Sequence, residues 1–153
     1  MWKIFFLWLL LLPWARAEGI VHDQFEMIAQ AASQKTGLDR LREINLGVNG
    51  MLNKTRFFSD PDLTHWQSVD EVLNSEDRSN CKDYVVLKEE LLRRFGIESR
   101  RILVWDKSQN SLHVVLQVQY VNQALILDNM RRVMVTLNEL IDNGVYDLYM
   151  RAP

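Results

Sequence analysis

Residues 79–97 read SNCKDYVVLKEELLRRFGI, and this run decides the architecture. From Cys81 to Phe95 the apolar positions Tyr84, Leu87, Leu91, Leu92 and Phe95 recur at helical spacing and form one stripe. Lys82, Asp83, Lys88, Glu89, Glu90, Arg93 and Arg94 fill the other faces. Ser79 or Asn80 supplies an N-cap. Gly96 stands where a helix ends on a left-handed residue, with Ile97 placed for the hydrophobic contact that accompanies such an end. The chain has one cysteine, so that cysteine is predicted at the first turn of the clearest helix.

Downstream of this helix the hydrophobic period shortens to two. Arg101 to Trp105 reads as a strand, and Leu112 to Tyr120 as a second with Leu112, Val114, Leu116 and Val118 on one face. Ala124 to Asp128 and Val133 to Val135 read as a third and a fourth. Thr136 to Ile141 reads as a short helix, and Tyr146 to Met150 as a return to the sheet. Upstream, residues 20–35 and 38–53 have helical spacing, the second untidy around Gly47 and Gly50. Residues 54–67 read as a loop containing Phe57, Phe58 and Trp66, with Asp60-Pro61-Asp62 as a turn signal. Ser68 to Glu71 fits a capping box before a short helix. Helices first and strands after is the α+β pattern.

The chain begins with a leader-like segment. Met1-Trp2-Lys3 is positive, Ile4 to Trp14 is apolar, and Ala15-Arg16-Ala17 offers small residues for a signal peptidase. The apolar run falls short of the roughly 20 residues a spanning helix needs. Residues 1–17 therefore read as a signal peptide and 18–153 as one exported domain; retention of the leader as an anchor is the alternative. A length of 153 residues allows one sizeable core, and 48% hydrophobic residues with 25% charged is an ordinary globular composition. A net charge of -2 leaves no basic excess to neutralise phosphates, which excludes nucleic acid as the expected partner. A zinc site lacks ligands, and no Gly-rich phosphate loop precedes a helix.

A single cysteine in an exported domain is a reactive thiol, an intermolecular partner or an inert buried residue. The positive end of a helix and its free N–H groups favour the first, because they stabilise a thiolate. A thiolate that attacks a carbonyl needs a base to carry protons, and the candidates are His22, His65 and His113. His113 interrupts an apolar strand, on the same face as Val115 and Gln117, and is expected to look toward the layer holding the Cys81 helix. A two-residue turn at Val121-Asn122 pairs Tyr120 with Gln123. That register sets Val115 opposite Asp128, with His113 diagonal to it at roughly 7–8 Å between backbones. A turn one residue longer would put His113 and Asp128 on opposite faces. Asp128-Asn129 also reads as a plain turn after a strand.

Five segments recur together in an order we recognise. They are Leu63-Thr64-His65-Trp66, Asn80-Cys81-Lys82-Asp83-Tyr84, Gly96-Ile97, Leu112-His113-Val114-Val115-Leu116 and Leu125-Ile126-Leu127-Asp128-Asn129. The set resembles the bacterial transglutaminase-like cysteine peptidases, including the LapG-like periplasmic cysteine proteases that trim biofilm adhesins. The resemblance implies a papain-like, transglutaminase-like core with N-terminal helices packed on a C-terminal antiparallel sheet. It implies Cys81 as nucleophile, His113 as base and Asp128 as the acid that orients the imidazole. The Cys81 N–H would be an oxyanion donor, and Trp66 would line the cleft. The implied partners are a protein or peptide substrate such as a cell-surface adhesin, and an inner-membrane receptor. The implied compartment is the periplasm.

The family usually flanks its cysteine with acidic residues that bind calcium in the LapG-like proteases. Here Asn80 and Lys82 replace two of them and Asp83 alone is kept; Asp83 is the candidate metal ligand, with the Asn80 amide as a further oxygen, but no cofactor is expected to be required and a tight calcium site is not expected. Lys82 would then supply part of the ion's charge beside the thiolate. The same triad also serves transglutaminase-type acyl transfer. A binding module on this fold with faded chemistry is the non-enzymatic alternative.

Overall fold

The computed structural model describes residues 15–52, 63–75 and 79–151. Along the chain run α1 (Ala15–Ser33), α2 (Gly37–Met51), α3 (Val69–Asn74) and α4 (Cys81–Arg94). There follow β1 (Ser99–Asp106), β2 (Ser111–Tyr120), β3 (Gln123–Leu127), α5 (Leu137–Asp142) and β4 (Tyr146–Arg151). The strands form one antiparallel sheet in the order β3-β2-β1-β4. This is the α+β architecture expected from the order of periods. The Phe57-Phe58 and Asp60-Pro61-Asp62 readings and residues 1–14 of the leader lie outside the described residues. The first helix begins at Ala15, ahead of the expected residue 20. Among the described residues no helix is long and apolar enough to cross a membrane.

Two apolar clusters sit on the two faces of the sheet. On one face Val114, Leu116, Val118, Leu125 and Leu127 meet Phe25, Leu41, Ile44, Tyr84, Leu87 and Leu91 from the helices. On the other, Ile102, Val104, Val115, Ile126 and Tyr146 gather with Leu140 of α5. The ladder confirms the division, since Ile102 pairs with Val115 and Val104 with His113. One expectation is overturned here. The helix layer covers the Val114–Leu116 face, whereas His113 shares the Val115 face. Both faces of β2 are apolar, so alternation alone does not tell which of them the helices cover.

The segment Val133 to Val135 is not a strand. It makes one backbone bond, Ile126 N–H to the Val135 carbonyl, and the adjoining bridge is Leu125 to Thr136. Thr136 then turns the chain into α5 through a complete capping box with Glu139. Three residues are too few to hold a ladder when the next one is an N-cap.

The untidiness of α2 has a packing cause at Gly47. A Cβ added there would lie 2.8 and 2.9 Å from the Cγ2 and Cγ1 atoms of Ile28 on α1. Alanine would gain roughly 0.5–1 kcal/mol of helix preference but force overpacking of roughly 1–3 kcal/mol against a β-branched neighbour. Gly47→Ala is therefore expected to destabilise the protein by about 1 kcal/mol, read from the urea midpoint. A midpoint at or above that of the parent would show that α1 and α2 are not closely apposed there.

Candidate active site

α4 starts where the sequence places it because its first turn is fully capped. Asn80 Oδ1 accepts from the N–H groups of Lys82 (2.8 Å) and Asp83 (3.3 Å). Asp83 Oδ2 accepts in return from the Asn80 N–H at 2.8 Å. At the other end Gly96 N–H bonds the Arg93 carbonyl and Ile97 N–H the Leu92 carbonyl, the two bonds of a Schellman end. Cys81 is the first residue of this helix, partly exposed, and its N–H has no acceptor within the helix.

Lys82 turns away from solvent. Its ammonium donates to the His65 carbonyl at 2.7 Å and lies 5.9 Å from the Trp66 ring centroid. The Arg101 guanidinium lies over the same ring at 4.1 Å and pairs with Glu89 of α4. The Trp66 indole N–H bonds the Leu63 carbonyl. Trp66, read from sequence as a cleft residue, is thus the platform on which two cations fasten the 63–66 segment to α4.

His113 is the third residue of β2, beyond Leu116, which makes the last pair with β3. At His113, therefore, β2 no longer has a β3 neighbour. This open corner of the sheet is where the tip of α4 reaches a side chain that belongs to the far face. His113 is 5% exposed, and its Nε2 bonds Asp128 Oδ1 at 2.9 Å. Nδ1 is left for a second partner, and the Cys81 side chain is near enough to help raise the imidazole's pKa. The register behind this holds as read from the two-residue turn: Tyr120 pairs with Gln123 and Leu116 with Leu127, so His113 and Asp128 share a face.

Asp128 is 2% exposed and more fully held than its sequence suggests. Oδ1 also accepts from the Met130 N–H at 2.9 Å, and Oδ2 accepts from the Tyr146 hydroxyl at 2.5 Å. The Asp128 carbonyl accepts from Asn49 Nδ2 on α2 at 2.8 Å. Neither Tyr146 nor Asn49 is marked by any motif, and Tyr146 reads from sequence only as the start of the strand that returns to the sheet. The other two histidines stand apart from this group: His22 bonds Asn74 at 3.0 Å, and His65 contributes its backbone carbonyl to Lys82.

The electrostatics follow from these contacts. Burial works against a charged His113, but hydrogen bonding and electrostatic attraction from Asp128 and Cys81 outweigh it. The imidazole is raised from 6.5 to about 10. Burial likewise works against a charged Asp128, and the His113 bond and charge, the Tyr146 hydroxyl and the Met130 N–H overcome it. The carboxyl is lowered from 3.8 to about 2. Burial and the Asp128 charge push the Tyr146 phenol upward, so it stays a donor. At neutral pH the centre is a carboxylate, an imidazolium and a sulfur in sequence.

The calcium ligands implied by the resemblance do not fit these residues. Asn80 Oδ1 and Asp83 Oδ2 are engaged in the capping box, and the residue between them in sequence, Lys82, offers a backbone N–H to Asn80 and an ammonium to the His65 carbonyl instead of a ligand oxygen. A divalent cation would have to displace the cap of the helix that carries Cys81.

The family described as bacterial transglutaminase-like cysteine proteinase matches residues 17–141. No curated protein sequence matches the chain. Among solved structures, Legionella pneumophila LapG in an EGTA-treated form aligns with TM-score 0.53 and 19% identity, covering 75% of each chain. A second structure of that protein gives the same score and identity. A protein of Cytophaga hutchinsonii assigned as a cysteine protease aligns with TM-score 0.55 and 14% identity, over 85% of this chain and 47% of that one. At these identities the structural likeness is a likeness of fold.

Proposed function

Because the chain belongs to the bacterial transglutaminase-like cysteine proteinase family, we propose that it is an exported peptidase whose catalytic group is Cys81, His113 and Asp128. The observation that carries this reading is the buried His113–Asp128 bond of 2.9 Å with the Cys81 side chain on the same imidazole. The Cys81 sulfur attacks the scissile carbonyl while the Cys81 N–H faces the developing oxyanion. His113 gives its proton to the departing amine as the C–N bond breaks, leaving a thioester. It then takes a proton from water, whose oxygen attacks the thioester, and the released sulfur and imidazolium return to their starting charges.

The substrate class is protein or peptide, with a cell-surface adhesin and an inner-membrane receptor as the partners the family resemblance implies. Residues 1–17 act as the signal peptide, and the compartment is the periplasm. Acyl transfer to an amine would pass through the same thioester, and an acyl donor with a labelled amine separates the two outcomes.

One cysteine makes the test simple, because intact mass reports every adduct on Cys81. With iodoacetamide at pH 5.5 the protein is expected to react at least about tenfold faster than free cysteine, whose thiolate is scarce there. A rate no greater than that of free cysteine would sink the catalytic assignment. Excess EGTA is expected to change this rate by less than about twofold, since the helix cap engages the Asn80 and Asp83 oxygens a calcium site would need. A larger loss restored by added calcium would show that the ion binds after all.

A further inference from the structure

Asp128 is approached by two different donors at its second oxygen. The Tyr146 hydroxyl bonds Oδ2 at 2.5 Å, while Arg131 Nε lies 3.7 Å from the same atom and has no hydrogen-bond partner. The Arg131 guanidinium rests over the Tyr146 ring, 5.6 Å from its centroid. Tyr146 is fully buried and its ring lies 5.7 Å from that of His113. We infer that Tyr146 is a positioning residue for catalysis, holding the Asp128 carboxylate against His113 in preference to the competing Arg131. The inference rests on the proposed Cys81–His113–Asp128 assignment.

The fold gives Tyr146 little freedom to do anything else. α5 ends in a Schellman pair, Gly144 N–H to the Ile141 carbonyl and Val145 N–H to the Leu140 carbonyl, with Gly144 at φ 68°. The chain leaves this end directly into β4, whose first residue is Tyr146, paired with Asp106 of β1. Tyr146 thereby projects onto the His113 face at a fixed height. Without the hydroxyl, Oδ2 would be buried beside one unsatisfied donor, Arg131 Nε. A short rotation of the carboxylate would satisfy both, and the same rotation would draw Oδ1 off the His113 Nε2–H axis. The sulfur would then face an imidazolium no longer held by its acid.

The charged groups around this pair are few. His113 comes from β2, Arg131 from the segment after β3, and Cys81 and Asp83 from the tip of α4. Asp106 of β1 has its Oδ1 bonded to Ser108 and Gln109. Glu139 on α5 is held in its capping box by Thr136. Of these, Arg131 is the cation whose capture of Asp128 would alter His113.

The test compares the iodoacetamide reaction of Cys81 between pH 4.5 and 10 in the parent, His113→Ala, Tyr146→Phe and the double variant Tyr146→Phe/Arg131→Leu, with thermal melts alongside. The parent is expected to keep an acid shoulder that His113→Ala lacks. Tyr146→Phe is expected to lose about fivefold or more of the rate at pH 5.5 and to match the parent at pH 10, where a thiol ionises without an imidazolium beside it. The double variant is expected to regain part of the acid rate. A Tyr146→Phe profile that overlays the parent, an equal loss at both pH values, or no recovery in the double variant each overturns the inference. A parent with no acid shoulder overturns the underlying assignment and this inference with it, so the two failures are distinct.

Discussion

His113→Ala is expected to abolish measurable hydrolysis, with kcat/KM falling by about 10³ or more, because in the proposed mechanism one side chain performs both proton transfers. The variant removes the cation that faces the sulfur and the group that protonates the leaving amine. It also removes one of three donors to a carboxylate that is 2% exposed, so some loss of stability accompanies it. His113→Gln separates the two effects. The glutamine amide can still donate to Asp128 Oδ1 but cannot carry a proton, so it should recover part of the lost melting temperature and none of the activity. The pH dependence carries a sign. The imidazole is raised to about 10, so the imidazolium that supports the sulfur is present through neutral pH and is lost as pH climbs through that value. Thiol alkylation of the parent and His113→Ala should therefore differ most at acid pH and converge above about pH 10. Near-normal turnover in either His113 variant would end the catalytic reading.

Much of this centre can be read before any coordinates are considered, and the reasons are local ones. Asn80, Cys81 and Gly96 are legible because helix ends are written in side chains: a short polar residue at the cap and a glycine at the left-handed stop. The His113–Asp128 pairing is legible because a two-residue turn leaves one register, even with Val121 at φ 53°, a conformation β-branched residues seldom take. The side of the sheet was not legible. Val104, Val115 and Ile126 are as apolar as Val114, Leu116 and Leu127, so no polar face distinguishes the α5 side from the α4 side. Tyr146 was hidden for another reason. It lies 18 residues from Asp128, on the far edge of a sheet whose order is β3-β2-β1-β4, and no period in the chain connects them. Asn49 reaches the same place from α2 across 79 residues, and its partner is a backbone carbonyl, which sequence does not display.

The capping box also shows how one residue can serve two readings. In sequence Asp83 is a lone remnant of an acidic run, and its pairing with Asn80 turns it inward to the helix that orients Cys81. Trp66 makes the same shift. Its ring faces Arg101 and Lys82, so the 63–66 segment braces the start of α4. Asn80 and Lys82, which depart from that acidic run, thus belong to an arrangement that anchors the helix carrying Cys81 by other means.

Asp128→Ala and Asp128→Asn are expected to part company, and by a wide margin. Alanine strips the acceptor from His113 Nε2, the Met130 N–H and the Tyr146 hydroxyl at once, inside a region where water does not replace it. Leaving an uncompensated imidazolium and two buried donors should cost about 3–5 kcal/mol and lower the melting temperature accordingly. Asparagine can keep most of the geometry. Its Oδ1 is fixed by the Met130 N–H and His113 Nε2, and its Nδ2 then meets the Tyr146 oxygen, which can rotate its proton away and accept. The imidazole keeps its place but loses the negative charge behind it, so hydrolysis should fall by about 10⁴ while the melting temperature falls far less than in Asp128→Ala. The pH profile of stability tells the same charge apart. Asp128 is lowered from 3.8 to about 2, so its contribution is present above pH 4 and is lost as pH falls toward 2. His113 is raised from 6.5 to about 10, so its contribution is complete below pH 6 and is lost as pH rises toward 10. The parent should therefore be most stable between these limits, and Asp128→Asn should flatten both flanks. Urea titrations at pH 3, 6 and 9.5 read the difference. Equal slopes for parent and Asp128→Asn across that range would mean that Asp128 is not the charge His113 depends on.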